Sequence, residues 1–187
     1  MSKFHRLIEG EIPRLRRYAR ALTRSADRAD DLVQETLMRA IAKAHLWQTG
    51  TDIRAWLFTI MHNQHVNMVR RAMRDGANVD IEQMSAALVA TTDPTASRQL
   101  RELENALSRL RGEHREVILL VGLEGMSYEA AAQILDVPVG TVRSRLSRGR
   151  DMLRHLMDMK MRVERESAEI DEVAVPAVQT GRRSVAA

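Results

Sequence analysis

Apolar residues recur at three- and four-residue intervals through most of this chain, and breaks in that rhythm divide it into helices. Pro13 is expected to open a first helix carrying Leu15, Ala19 and Leu22. After Ser25-Ala26-Asp27, a longer helix places Ala29, Leu32, Val33, Thr36, Leu37, Ala40, Ile41 and Ala44 on one stripe. The rhythm stops at Trp47-Gln48-Thr49-Gly50-Thr51-Asp52. It resumes from Ile53 to Arg74 with Ile53, Trp56, Leu57, Ile60, Met61 and Met68 facing inward. Residues 1–74 therefore read as a compact three-helix domain.

Residues 75–93 have no sustained period, four acids and no Lys or Arg, which predicts an acidic, flexible linker. Asp93-Pro94 looks like a helix cap followed by a first-turn proline. Leu100, Leu103, Leu107 and Leu110 carry that helix to Gly112, and a further helix spans Arg115–Leu123. The second domain is placed at 94–159. The polar stretch 160–187, above all from Val163 onward, is expected to be disordered.

The second domain contains the sharpest pattern. Ser127 can cap a short helix carrying Ala131, Ile134 and Leu135, and Asp136-Val137-Pro138 reads as a turn into a second helix. There Val139, Val142, Leu146 and Leu153 form one side; Thr141, Ser144, Arg145 and Arg148 lie opposite, flanked by Arg143 and Ser147. Residues 139–155 hold five arginines against one aspartate. A helix-turn-helix with an arginine-loaded second helix suits the DNA major groove, where arginine grips guanine edges or phosphates.

Composition narrows the class. The 187 residues contain no cysteine, so no disulfide framework or cysteine-based metal site can form. Aromatic content is 3% and strand-like alternation is scarce, pointing to an all-α fold of two small helical domains. The longest apolar run is about Val117–Val121, far short of a bilayer span, and Met1–Arg6 is not followed by a signal-like apolar stretch. A cytoplasmic protein is expected. The formal charge of +4 matters through its clustering, not its size.

The first domain offers two candidate surfaces. Asp27, Asp30, Asp31 and Glu35, with Gln34 between them, form an acidic patch. Helix-dipole placement accounts for the first two but poorly for Glu35; a surface for a basic partner accounts for all. Asn63, Asn67, Arg70 and Arg74, with Arg71 beside them, form a polar stripe able to meet bases and phosphates. The preceding loop, with Trp47, Thr49, Thr51 and Asp52, could cradle an unstacked base. A solvated helix face and a core-edge tryptophan explain the same residues equally well. Trp56 is assigned to the core. His62 and His65 could touch one metal, yet no third ligand is evident, and surface histidines are the simpler reading. No phosphate loop or nucleophile motif marks an enzyme.

Four motifs then occur in order: Asp30-Asp31-Leu32-Val33-Gln34-Glu35-Thr36-Leu37; Arg54-Ala55-Trp56-Leu57-Phe58-Thr59-Ile60 followed by Asn63; Ser127-Tyr128-Glu129-Ala130-Ala131-Ala132; and Val139-Gly140-Thr141-Val142-Arg143-Ser144-Arg145-Leu146-Ser147-Arg148. Over roughly residues 5–157 they resemble bacterial RNA polymerase sigma factors of the extracytoplasmic-function (ECF) type. The run from Gly50 to Ile60 resembles the general-stress branch of alphaproteobacteria. Arg111-Gly112 departs from the family, which usually has a proline there, and the basic cluster after the third helix ends early, at Arg74-Asp75.

The resemblance implies an alternative sigma factor, without enzymatic activity, cofactor or metal, that directs promoter-specific initiation as a monomer. Asp31, Gln34, Glu35 and Met38 would dock on the clamp helices of the core polymerase's largest subunit, with a further contact at the flap. Trp47, Thr49, Thr51, Asp52 and Asn63 would capture a flipped base of the −10 element, and Asn67, Arg70 and Arg71 would hold the opened duplex. Thr141, Arg143, Ser144, Arg145, Ser147 and Arg148 would read the −35 element. An anti-sigma factor would regulate it. A stand-alone repressor would use the same helix-turn-helix but leave the first domain without a role. A sigma-like module that titrates an anti-sigma protein would need no DNA-reading side chains.

Overall fold

The computed structural model describes the backbone of residues 3–74 and 94–173, and side chains over 3–74 and 98–158. Seven α-helices run through the described residues, which contain no strand. The expected linker at 75–93 lies outside them.

Three helices, α1 (Lys3–Thr23), α2 (Ala26–Ala42) and α3 (Ile53–Arg74), surround the first core. Ile8, Leu15, Tyr18, Ala19 and Leu22 of α1 meet Ala29, Leu32, Val33 and Ala40 of α2 and Ile53, Leu57, Phe58 and Met61 of α3. Tyr18 and Phe58 pack edge to face at 5.0 Å. Thr36 is fully buried, and its hydroxyl donates to the Leu32 carbonyl at 2.7 Å, which removes the cost of burying it.

Several expectations are corrected here. Pro13 does not open α1 but sits inside it. Its ring leaves the Glu9 carbonyl without a helical donor, but both residues face solvent, and Phe4, Leu7 and Ile8 anchor the preceding turns on the core. Ile41 is not inward but 52% exposed. It lies about 120° from the centre of the stripe made by Ala29, Leu32, Val33, Thr36 and Ala40, on the outward side. Trp56 is half-buried at the edge of the core, 6.1 Å from Phe4. Phe58, absent from the expected stripe, is buried in its place.

The second group comprises α4 (Pro94–Ser108), α5 (Gly112–Ile118), α6 (Tyr128–Leu135) and α7 (Val139–Val173). Where an unbroken helix to Leu123 was expected, α5 gives way to a wide π-type turn over Leu119–Leu123. Glu124 donates its amide to the Leu119 carbonyl at 2.9 Å, and Met126 donates to Leu120 at 3.0 Å. Ser127 caps α6 by accepting from the Ala130 amide at 3.1 Å. Asp136 takes a left-handed conformation, φ 51°, to end it. Val142 and Leu146 of α7 then pack with Ala131, Ile134 and Leu135. Disorder from Val163 is corrected in part: α7 continues to Val173. Residues 159–173 contain neither glycine nor proline and are rich in Glu, Arg and Met, which favour a helix without needing a core.

The two groups pack on each other, α3 against α6 and α1 against α5 and the π-type turn. Glu124, its side chain wholly buried, receives Arg17 at 2.8 Å and Arg54 at 3.1 Å. Arg54 also donates to the Glu124 backbone carbonyl. His62 Nδ1 lies 2.6 Å from Glu116 Oε1. Arg115 crosses the same boundary, donating to the carbonyls of Leu22, Leu107, Ser108 and Leu110. Burial, and then the Arg24 charge, pulls Arg115 down to about 10. His62 and His65 are thus partly buried at a domain contact, not surface residues. No cluster of three possible metal ligands exists among the described residues.

Candidate nucleic-acid and polymerase interfaces

The helix-turn-helix presents α7 by burying its apolar side. Arg143, Ser144, Ser147 and Arg148 are exposed and Thr141 is half-buried, so one turned-out face carries most of the residues expected to read DNA. The Ser144 hydroxyl donates to the Thr141 carbonyl at 3.0 Å, leaving its oxygen as an acceptor. Arg143 lies over the ring of Tyr128 at 5.9 Å, so α6 braces it from below. Arg145 is placed differently. It pairs with Glu113 of α5 at 2.9 Å, and its side chain is only 27% exposed.

On α2, Asp31, Gln34, Glu35 and Met38 are all exposed. Met38 is 63% exposed and Ile41, one turn on, 52%, so an apolar strip continues the acidic patch; Leu46, in the short 3-10 turn after α2, is also 60% exposed. Exposed large apolar side chains grouped this way suit a partner protein more than water. The sequence pattern missed Ile41 by assigning it inward and did not single out Leu46. A finer helical wheel would have found Ile41.

The loop before α3 is held by its own polar groups. Thr51 donates through Oγ1 to the Gln48 carbonyl at 2.8 Å. Asp52 Oδ1 accepts from the Arg54 and Ala55 amides at 2.9 and 3.2 Å, so it caps α3. Gly50 has φ +99°, which favours glycine. Trp47 is half-buried and packs on Phe4 at 5.6 Å, while Thr49 is exposed. Asn63, Asn67, Arg70 and Arg71 are exposed along α3. A rise of 1.5 Å per residue puts Asn63 about 16 Å along the helix from its Asp52 cap. A strand lying along α3 would meet the loop first and the asparagines later.

The structure brings two of the expected surfaces together. Glu35, Arg39, Gln64, Asn67, Met68 and Arg71 line one small cleft between α2 and α3, about 70 Å³ in volume. Inside it the buried Gln64 donates to Glu35 at 2.9 Å. Glu113, Gln64 and Glu124 have no signal in the sequence pattern, and Tyr128 enters it only as part of a family-like motif. Each acts through a partner on another helix, which no local spacing reveals. No helix of the described residues is long and apolar enough to cross a membrane.

Comparison with known proteins yields consistent matches. The family model for the Sigma2 domain of PhyR matches residues 8–62, and that for sigma-70 region 4 matches residues 100–153. The ECF RNA polymerase sigma factor EcfG of Rhodopseudomonas palustris (strain TIE-1) is 41% identical over 150 residues, covering 80% of this chain and 82% of that protein. Among solved structures, the sigma factor RpoE in complex with the anti-sigma factor NepR, from Bartonella quintana, has a TM-score of 0.73 and 35% identity. That match covers 84% of this chain and 98% of the other. CnrH in complex with the cytosolic domain of CnrY has a TM-score of 0.61 and 28% identity, over 83% of this chain and 88% of the other.

Proposed function

The chain belongs to the ECF family of RNA polymerase sigma factors, and from that membership we propose how its surfaces divide the work of promoter recognition. The exposed outer face of α2, with Asp31, Gln34, Glu35 and Met38, docks on the clamp helices of core polymerase. Trp47, Thr49, Thr51 and Asp52 shape the loop that receives a base of the −10 element, with Asp52 acting through the cap it makes. Asn63, Asn67, Arg70 and Arg71 hold the opened strand along α3. Thr141, Arg143, Ser144, Ser147 and Arg148 read the −35 element from the major groove. The chain works in the cytoplasm as a monomer and performs no covalent step; the polymerase does.

The observation that carries this reading is the pairing on one chain of two exposed faces with different chemistry. An acidic and apolar face on α2 suits a protein, and an arginine-rich face on α7 suits DNA. A free-standing repressor would have no use for the first. The match to EcfG and to the RpoE–NepR complex fits the general-stress branch, with an anti-sigma protein holding this chain inactive. An apolar groove of about 450 Å³ between α1, α4 and the π-type turn supports that step. Leu100, Leu103, Leu107 and Leu119 are among its lining residues, with Arg17 and Arg24 beside them. It suits an amphipathic helix of the anti-sigma protein with acidic flanks.

Transcription in vitro, with purified core polymerase and fragmented genomic DNA, tests the assignment by mapping the 5′ ends made with and without this chain. New start sites preceded by two spaced common elements are expected. Failure to bind core would sink the assignment and bring the stand-alone regulator forward. Within the system, Arg148→Ala should weaken formation of the closed complex about tenfold or more at promoters that depend on the −35 element. Asn63→Ala should slow opening while leaving closed-complex affinity within about twofold. Equal loss of both steps in both variants would refute this division.

A further inference from the structure

The arginines of α7 differ in what surrounds them. Val142, Leu146, Gly149 and Leu153 mark the helix face turned toward the rest of the domain. At 3.6 residues per turn, Ser144 lies opposite that face, with Thr141, Ser147 and Arg148 within about 60° of it. Arg143 and Arg145 each lie about 80° from the packed face, on opposite sides. Each is met by an earlier helix: Arg143 by the Tyr128 ring of α6, and Arg145 by the Glu113 carboxylate of α5. Arg143 remains exposed. Arg145 does not, because it lies on the edge where α5 and α7 converge. There the two helices approach so closely that a Cβ on Gly149, one turn beyond Arg145, would stand 3.2 Å from the Cβ of His114.

We infer that Glu113 is a specificity-positioning residue: it withdraws Arg145 from the DNA and leaves base reading to Arg143 and Arg148. The reason lies in how arginine meets DNA. A guanidinium at the groove edge reaches phosphates whatever the sequence, and each phosphate neutralised strengthens binding to every site alike. Five arginines on residues 139–155 risk a helix that adheres without discriminating. A carboxylate on α5 cancels one of them where it cannot touch a base. An ion pair this exposed is weak by itself. The half-burial of Arg145 along α5 supplies the geometry, and Glu113 supplies the neutralisation.

The inference rests on α7 being the −35 reader, so Arg148→Ala is the reference variant. Holoenzyme is assembled from core polymerase and each full-length chain. Binding is then measured across a salt series, to promoter fragments from the mapped start sites and to random-sequence duplex. Arg148→Ala is expected to lose about tenfold or more on the promoter. Arg145→Gln is expected to keep promoter preference and salt slope, within about twofold. Glu113→Gln is expected to raise random-duplex binding about two- to fivefold and to steepen the logarithmic salt slope by about 0.9, one phosphate's worth. The exchange Glu113→Arg with Arg145→Glu rebuilds the pair in reverse and should restore the wild-type slope, which separates neutralisation from mere folding. Arg145→Gln losing promoter preference as Arg148→Ala does would overturn the inference, as would an unchanged slope in Glu113→Gln. Arg148→Ala without effect would instead overturn the assignment of α7 to the −35 element, and the inference with it.

Discussion

At the scale of single residues, burial at the domain contact determines which groups respond to pH. His65 sits on α3 with Nδ1 buried and without a hydrogen-bond partner among the described residues. Burial pushes its imidazole below the ordinary 6.5, and His62 and Arg115 add to the fall against the opposing pull of Glu116. The unfolded chain takes up a proton near 6.5, whereas the fold does so only at lower pH. Between those points the unfolded state binds more protons, so stability falls as pH drops below about 6.5 and is unaffected by this group above it. A thermal melt series from about pH 7.5 to 5.5 should show a steeper decline for the wild type than for His65→Gln. The difference should not exceed about 1.4 kcal/mol per pH unit, the limit for one proton. Equal slopes would mean that His65 is protonated in the fold as readily as outside it. Tyr18, pushed well above its ordinary value first by burial and then by Glu116 and Glu124, stays neutral throughout this range.

At the scale of elements, the crossing of α5 and α7 depends on one missing side chain. In most helices Gly→Ala gains about 0.5–1 kcal/mol. At Gly149 the added Cβ would lie 2.8 Å from Ile118 Cδ1 and 3.2 Å from His114 Cβ. The first contact is with the end of a flexible chain and can move; the second is fixed to the α5 backbone and must shift with it. Gly149→Ala is therefore expected to be destabilised by about 1 kcal/mol, overpacking exceeding the helix gain. Adding Ile118→Val, which removes Cδ1, should recover part of that loss in a denaturant titration. A stabilised single variant would show that the helices separate freely. The same elements show what a sequence makes legible. Ser127, the Asp136 turn and most of the two-sided pattern of α7 are legible because capping, turn chemistry and helical period are all local; Arg145, expected opposite the apolar side, instead lies at its edge against Glu113. The π-type turn after Ile118 is not legible, since its residues fit an ordinary helix and only the packing of Leu119 and Leu120 distinguishes them. Three- and four-residue spacing alone admits Ile41 to the stripe, whereas its angle on the helix puts it on the outward side, 52% exposed. Helix persistence to Val173 is hard to read because polarity points equally to disorder and to an exposed helix, polar residues such as Glu and Arg being good helix formers.

At the scale of the whole molecule, the relation between the two helical groups was invisible beforehand. The candidate DNA and polymerase faces followed from each domain's own pattern, whereas the contact between domains joins Glu124 to Arg17 and Arg54, 107 and 70 positions away. In sequence, Glu124 is one more acid beside a glycine. In the fold its carboxylate has no exposure and two cationic partners from the other domain, one of them also bound to its backbone carbonyl. A buried carboxylate is tolerated only when so matched, and removing its charge leaves the arginines facing a neutral wall. Arg17 is 43% and Arg54 21% exposed, and water screens part of the interaction. Glu124→Gln, which keeps shape and loses charge, should therefore weaken the domain contact by about 1–3 kcal/mol, less than a fully buried pair would. The domains should then separate part of the time while each keeps its own core. Small-angle scattering should report a larger radius of gyration for Glu124→Gln than for the wild type, with unchanged helical circular dichroism. High salt should enlarge the wild type more than the variant. An unchanged radius in the variant would mean that the apolar contact of α3 with α6 suffices, and that the buried carboxylate fixes the alignment of the domains more than their association.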